Sequence, residues 1–197
     1  MITEEQFEDA AIELGCDIPA IKAVNKVESS GGGFLPNGDL KILFEPHIFW
    51  RELIAVGISP AMVAGNNTDI LYPKWKPGTY GKQSAQNDRL QRAMKINATA
   101  ALKSASYGAF QILGNNHRKA GYDAVENMVK DYKLGEGNQL LSFVKYLKNT
   151  GISKHLINHD WVSFARSYNG AVYKGKADTI ADDYDIKLAM AYESFSS

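Results

Sequence analysis

Two glutamates stand where a folded chain would treat their charges in opposite ways. Ile21, Val24 and Glu28 fall at i, i+3 and i+7 of a helical stretch that begins near Pro19 and ends before the glycines at 31–33. Glu28 thus extends an apolar stripe and closes a helix. Burial and the negative end of the helix dipole both disfavour its charge, and a carboxyl that keeps its proton near neutral pH is a general acid. A capped, solvated glutamate in a polar turn fits the same spacing, and on spacing alone it is the better reading. Glu45 precedes Pro46, which suits a helix start, so it sits near the positive end of a dipole, where a carboxylate stays ionised. A plain N-cap would look the same. Carboxyls whose surroundings push their pKa values apart form an acid and base pair of the kind glycoside hydrolysis uses.

Other chemistries find less support. His155 and His159 stand at i, i+4 with Asp160 beside them, a spacing that puts two imidazoles on one helix face, but the glutamate of an H-E-x-x-H motif is missing. His47 and His117 lie far away in sequence, and surface histidines are the better reading, so no metal is expected. Cys16 is the only cysteine: it excludes an internal disulfide and a Cys-rich zinc site, and no nucleophile motif surrounds it. No phosphate-binding glycine loop follows a convincing strand.

The elements that must position these residues read as mainly helical. Thr3 opens a T-x-x-Q capping box with Gln6; Phe7, Ala10, Ala11 and Leu14 recur at helical spacing before Gly15 stops the helix. FLPNGDLKILFE reads as a hairpin turning at Asn37-Gly38, with Leu40, Ile42 and Phe44 alternating against Lys41, Leu43 and Glu45. Residues 57–82, rich in Gly, Pro, Asn and Tyr, are too long and irregular for a simple connector, and such loops often carry function. Further helices are expected over 84–95, 97–105, 125–132, 138–149, 160–168 and 183–195. The fold class is mainly α (α+β): a helical lobe with one small β-hairpin.

A chain of 197 residues, 45% hydrophobic and 22% charged, fits a single domain over residues 1–197 with ample side chains for a core. No apolar stretch is long enough to span a bilayer and the first residues lack a signal pattern, so a cytoplasmic origin is expected. With 22 basic and 22 acidic residues, a nucleic-acid binder relying on phosphate neutralisation is disfavoured. The charges are uneven. Residues 1–20 carry six acids and no Lys or Arg, whereas 141–176 carry Lys145, Lys148, Lys154, Arg166, Lys174 and Lys176 against Asp160 alone. That basic face would suit an anionic envelope, and ordinary solvated helix faces explain it equally well.

Three blocks then carry a family resemblance. AVNKVESSGGGFLPNGDLKILFEPHIFWREL resembles the opening of the N-acetylmuramidase domain of bacteriophage endolysins; RLQRAMKINATAALKSASYGAFQILGNNH resembles its centre and DWVSFARSYNGAVY its later segment. The blocks span roughly residues 20–192 in the family's order. More distantly, Glu28-Ser29-Ser30-Gly31, Gly108-Ala109-Phe110-Gln111 and Tyr168-Asn169 resemble segments of goose-type lysozymes and lytic transglycosylases.

The resemblance implies a lysozyme-like fold with its cleft between the helical lobe and the hairpin, Glu28 as general acid and Glu45 as second carboxylate. It implies a cofactor-free glycoside hydrolase, monomeric, that cleaves the β-1,4 bond between N-acetylmuramic acid and N-acetylglucosamine in peptidoglycan. Such an enzyme needs a holin-type partner to reach the wall. Gly108 would let backbone approach the sugar, Phe110 or Tyr107 would stack on it, and Gln111 would offer an amide. Ser106 would orient a carboxylate, and Tyr168 and Asn169 would hydrogen-bond Glu28 or an acetamido group, although a buried tyrosine before a helix stop is equally a structural device. Phe34, Trp50, Tyr72, Trp75 and Tyr80 add aromatic surface, mostly destined for the core; of these Phe34 and Tyr80 are taken as binding residues, Tyr80 for its GTYGK turn. The rival readings are a lytic transglycosylase, which needs no second carboxylate, and a catalytically silent peptidoglycan-binding module.

Overall fold

The computed structural model describes residues 1–29, 32–76, 78–170 and 183–196. Its helices are α1 (Glu4–Leu14), α2 (Ile18–Glu28), α3 (Pro46–Ala55), α4 (Pro60–Ala64), α5 (Gln86–Ile96), α6 (Ala98–Lys103), α7 (Val125–Tyr132), α8 (Glu136–Thr150), α9 (Ser153–Ile157), α10 (Trp161–Asn169) and α11 (Tyr184–Ser196). The strands are β1 (Ile42–Phe44), β2 (Ala105–Tyr107) and β3 (Ile112–Leu113). Ser30, Gly31, Lys174 and Lys176, which figure in the motif and the basic face, lie outside the described residues.

Local chemistry sets the ends of the first two helices. Thr3 and Gln6 exchange their capping bonds, Gln6 N to Thr3 Oγ1 at 3.2 Å and Thr3 N to Gln6 Oε1 at 3.0 Å, and Gly15 ends α1 at φ 74°. Asp17 accepts from Ala20 N at 3.0 Å and Pro19 enters the first turn of α2. Ile21 and Val24 then bury completely. The core centres on α8, whose Leu140, Phe143, Val144 and Leu147 are all inaccessible, and α11 packs along α2.

The expected hairpin is realised differently. The chain does turn at Gly38, but only the bridge Phe34↔Leu40 joins the two arms. β1 instead pairs antiparallel with β2, Ile42 opposite Tyr107 and Phe44 opposite Ala105, and β2 pairs with β3 in a three-stranded sheet. Ile42 and Phe44 are buried and need apolar partners, which the arm Leu35–Asp39, with its Pro and exposed turn, cannot supply. The sequence pattern carries a helix through 105, whereas α6 stops at Lys103: Ser104 Oγ folds back onto Ala100 O at 2.6 Å and the chain leaves as a strand. The turn after β3 packs on this corner so tightly that a Cβ on Gly114 would stand 2.2 Å from Leu102 O. Backbone cannot yield cheaply. Gly114→Ala should therefore cost about 1–3 kcal/mol and lower the thermal midpoint by several degrees, as calorimetry would read.

Candidate active site

Glu28 ends α2 beside a cavity of about 200 Å³ that it lines together with Phe110, Gln111, Leu113, Tyr146, Tyr168 and Asn169. Burial raises its carboxyl pKa. The Tyr184 hydroxyl, from the start of α11, pulls the other way without a hydrogen bond of good geometry. A carboxyl that binds its proton more tightly in the folded than in the unfolded chain weakens the fold as pH rises from the ordinary glutamate value through the raised one. Glu28→Gln should thus melt higher than the parent near pH ~7 and lose that advantage near pH ~4, as thermal midpoints in matched buffers would show.

Glu45 occupies the N-cap position of α3, yet its side chain makes no capping bond. Its backbone N–H donates to Ser104 O at 2.8 Å, and its carboxylate accepts from Tyr80 OH at 3.3 Å and from Ser106 Oγ at 3.5 Å. The plain-cap reading therefore fails: the carboxylate is left for other work. Burial first, then Glu45, push the Tyr80 hydroxyl up to about 12, so it remains a donor at any working pH. Two-residue alternation relates the carboxyls: Ser106, which touches Glu45, pairs across β2 and β3 with Leu113, which lines the cavity at Glu28.

Tyr107, next along β2, goes elsewhere. It is 1% exposed, donates to Leu102 O at 2.8 Å and borders a separate groove of about 510 Å³ with Ile42 and Leu102, so it offers no ring to a ligand at Glu28. Phe110 lines the cavity but stacks on Phe143 with centroids 4.3 Å apart and is 2% exposed, which makes it a wall and not a stacking face. Tyr168 donates to Phe110 O at 2.7 Å, holding the G-x-x-Q turn and not Glu28, while Asn169 is exposed at the cavity edge. Phe34 is half-buried against the core beside Leu40.

The glycines have structural reasons of their own. Gly108 takes φ 73°, and a Cβ there would stand 2.5 Å from Gln139 Oε1; a Cβ on Gly33 would stand 2.1 Å from the same atom. Gln139, on α8, is completely buried, accepts from Ala109 N at 2.8 Å and donates to Tyr132 O at 3.0 Å, so it cannot swing aside. One turn earlier, Glu136 accepts from Gly33 N at 2.7 Å. Gln111 is a non-glycine residue at φ 48°, and its Nε2 donates to Gly108 O at 2.8 Å, closing the turn. Gly108→Ala should lower both thermal stability and activity, with activity falling further, because the Cβ displaces the turn that carries Gln111 into the cavity.

Sequence reasoning missed several neighbours. His47 is no surface residue: its Nε2 lies 3.8 Å from Glu45 Oε2, its Nδ1 is buried without a partner, and burial holds its pKa low against the pull of Glu45. Its place two residues beyond Glu45 was the available signal. His117 is likewise buried, against Gly114 O at 3.0 Å. Tyr146 and Tyr184 sit in helices where an aromatic reads as packing. The two histidines at i, i+4 do not share a helix face, because α9 ends at Ile157; His155 faces Asp160 at 3.8 Å and His159 faces Asp17 at 3.2 Å. Among the described residues no group of three or more His, Cys, Asp or Glu side chains could hold a metal ion, and no helix is long and apolar enough to cross a membrane.

A partly buried carboxyl at a helix end, facing a short antiparallel sheet across a cavity, fits a lysozyme-like glycoside hydrolase. The chain belongs to the N-acetylmuramidase family, which it matches over residues 17–196, and is a peptidoglycan hydrolase of the muramidase kind. Among solved structures it is similar to the Burkholderia AP3 phage endolysin, with a TM-score of 0.88 and 35% identity over 99% of this chain and 71% of that one. None of the curated proteins matches it.

Proposed function

We propose that the chain cleaves the β-1,4 bond between N-acetylmuramic acid and N-acetylglucosamine, with Glu28 protonating the glycosidic oxygen and Glu45 activating the attacking water. The observation that carries this reading is the contrast between the two carboxyls: Glu28 is partly buried, which raises its pKa, whereas Glu45 is held by hydroxyl donors from Tyr80 and Ser106. Gln111 and Asn169 at the cavity edge offer amides to the sugar hydroxyl and acetamido groups. Water activated on the far face of the sugar inverts the anomeric centre. On this reading the chain acts as a single catalytic domain, a monomer, that reaches the wall from the cytoplasm through a holin-type partner.

Digestion of purified peptidoglycan, with products identified by mass spectrometry and the first-formed anomer by NMR, tests the reading. Reducing muramic acid ends in the α configuration are expected. Anhydromuramic ends would make the enzyme a lytic transglycosylase, reducing glucosamine ends would move the cut to the other glycosidic bond, and an intact but bound wall would leave only a binding module.

A further inference from the structure

Trp75 is 57% exposed, on a loop whose other aromatics turn inward, Tyr72 to 5% exposure and Tyr80 onto Glu45. An exposed indole on a loose loop would mean little, but this loop is pinned at its base. Gln86 of α5, itself 1% exposed, accepts from Phe44 N at 3.1 Å and donates to Tyr80 O, joining the loop to the residue that precedes Glu45. Arg89 donates to Tyr80 O at 2.7 Å and to Thr79 O at 3.2 Å, and Tyr72 meets Thr79 Oγ1 at 2.8 Å. The indole lies near enough to the Tyr80 hydroxyl to pull its pKa down somewhat, without a hydrogen bond of good geometry, and that hydroxyl donates to Glu45 at 3.3 Å.

An indole face left in water on a loop tied beside a candidate catalytic carboxylate is placed to meet a ligand. The ligand chemistry that matches it is a pyranose, whose C–H face packs on an aromatic plane while its hydroxyls stay outward. We propose that Trp75 is the stacking platform for one sugar ring of the glycan strand on the Glu45 side of the cleft. The proposal rests on the reading of the chain as a glycan-cleaving enzyme. Tyr80 then stands between the two, close to the indole and holding Glu45 through its own hydroxyl.

The test uses Glu28→Gln protein, so that the probe is not consumed, and titrates it with a β-1,4-linked tetramer of N-acetylglucosamine while following intrinsic fluorescence. Binding with a change in emission is expected, and Trp161→Phe should leave it in place. Adding Trp75→Ala should weaken binding about tenfold, roughly 1.4 kcal/mol, whereas Trp75→Phe, which keeps a ring, should stay within about threefold of the parent. Unchanged affinity in Trp75→Ala overturns the platform, as does failure of the parent to bind the tetramer. So does a Phe variant as weak as the Ala variant, since that assigns the effect to the indole N–H and not to a ring face. If the underlying reading fails instead, the enzyme with Glu28 intact does not cut peptidoglycan at all.

Discussion

Glu28→Gln should lower the rate of reducing-end release from purified peptidoglycan by about 10²–10⁴-fold, the range over which a positioned general acid acts. Glutamine has the shape of the protonated side chain and can still donate a hydrogen bond, but it has no proton to give up to a departing oxygen. The site should survive the change, because burial already raises the carboxyl's pKa and, among the described residues, it makes no ion pair. Wall binding is therefore expected to persist while turnover falls, so the loss should appear in kcat and not in KM. A variant that keeps more than about a tenth of parental turnover would remove Glu28 from the acid role.

Glu45→Gln is expected to cost a comparable factor of about 10²–10⁴ in hydrolysis for a different reason: an amide cannot take the proton that water must lose. Its neighbours make the variant clean. Glu45 serves no capping bond, and the hydroxyls of Tyr80 and Ser106 can hydrogen-bond to an amide oxygen in place of the carboxylate. The helix start at Pro46 should stay in place, and circular dichroism should match the parent. Near-parental turnover would show that no second carboxylate is needed and would shift the chemistry to intramolecular attack by a sugar hydroxyl. Placed side by side, the two variants separate roles that each alone would leave merged: both block hydrolysis, but only Glu28→Gln should also block any anhydro product.

The helical part of this architecture was written plainly in the sequence because its signals are local. The Thr3 and Gln6 box, the Asp17 cap, Pro19 and the stripe that ends at Glu28 each depend on residues within a few positions of one another. What was hidden depends on distant chain. β1 takes its partner from 105–107, more than 60 residues downstream, so the Asn37-Gly38 turn pointed to a hairpin that amounts to a single bridge. The side chains around Glu45 show the same divide. Tyr80 stood out by its turn, but nothing in a linear reading brings Gln86 and Arg89 to its carbonyl. Nor could spacing distinguish Tyr107 from Ser106: adjacent residues on a strand face opposite ways, and only the register says which one meets the carboxylate.

Gln139 couples the two segments that flank the site, because the stretch after Glu28 and the turn that carries Gln111 press glycines against the same buried amide. Those two stretches are therefore not separate modules of inheritance. A side chain gained at position 33 or 108 can be accepted only if position 139 shrinks first, and a smaller residue at 139 removes the acceptor that Ala109 needs. Homologues should vary at these three positions together or not at all. Anyone reshaping the cleft for another wall chemistry must redesign the trio in one step, since the single-substitution routes between working versions pass through a broken enzyme.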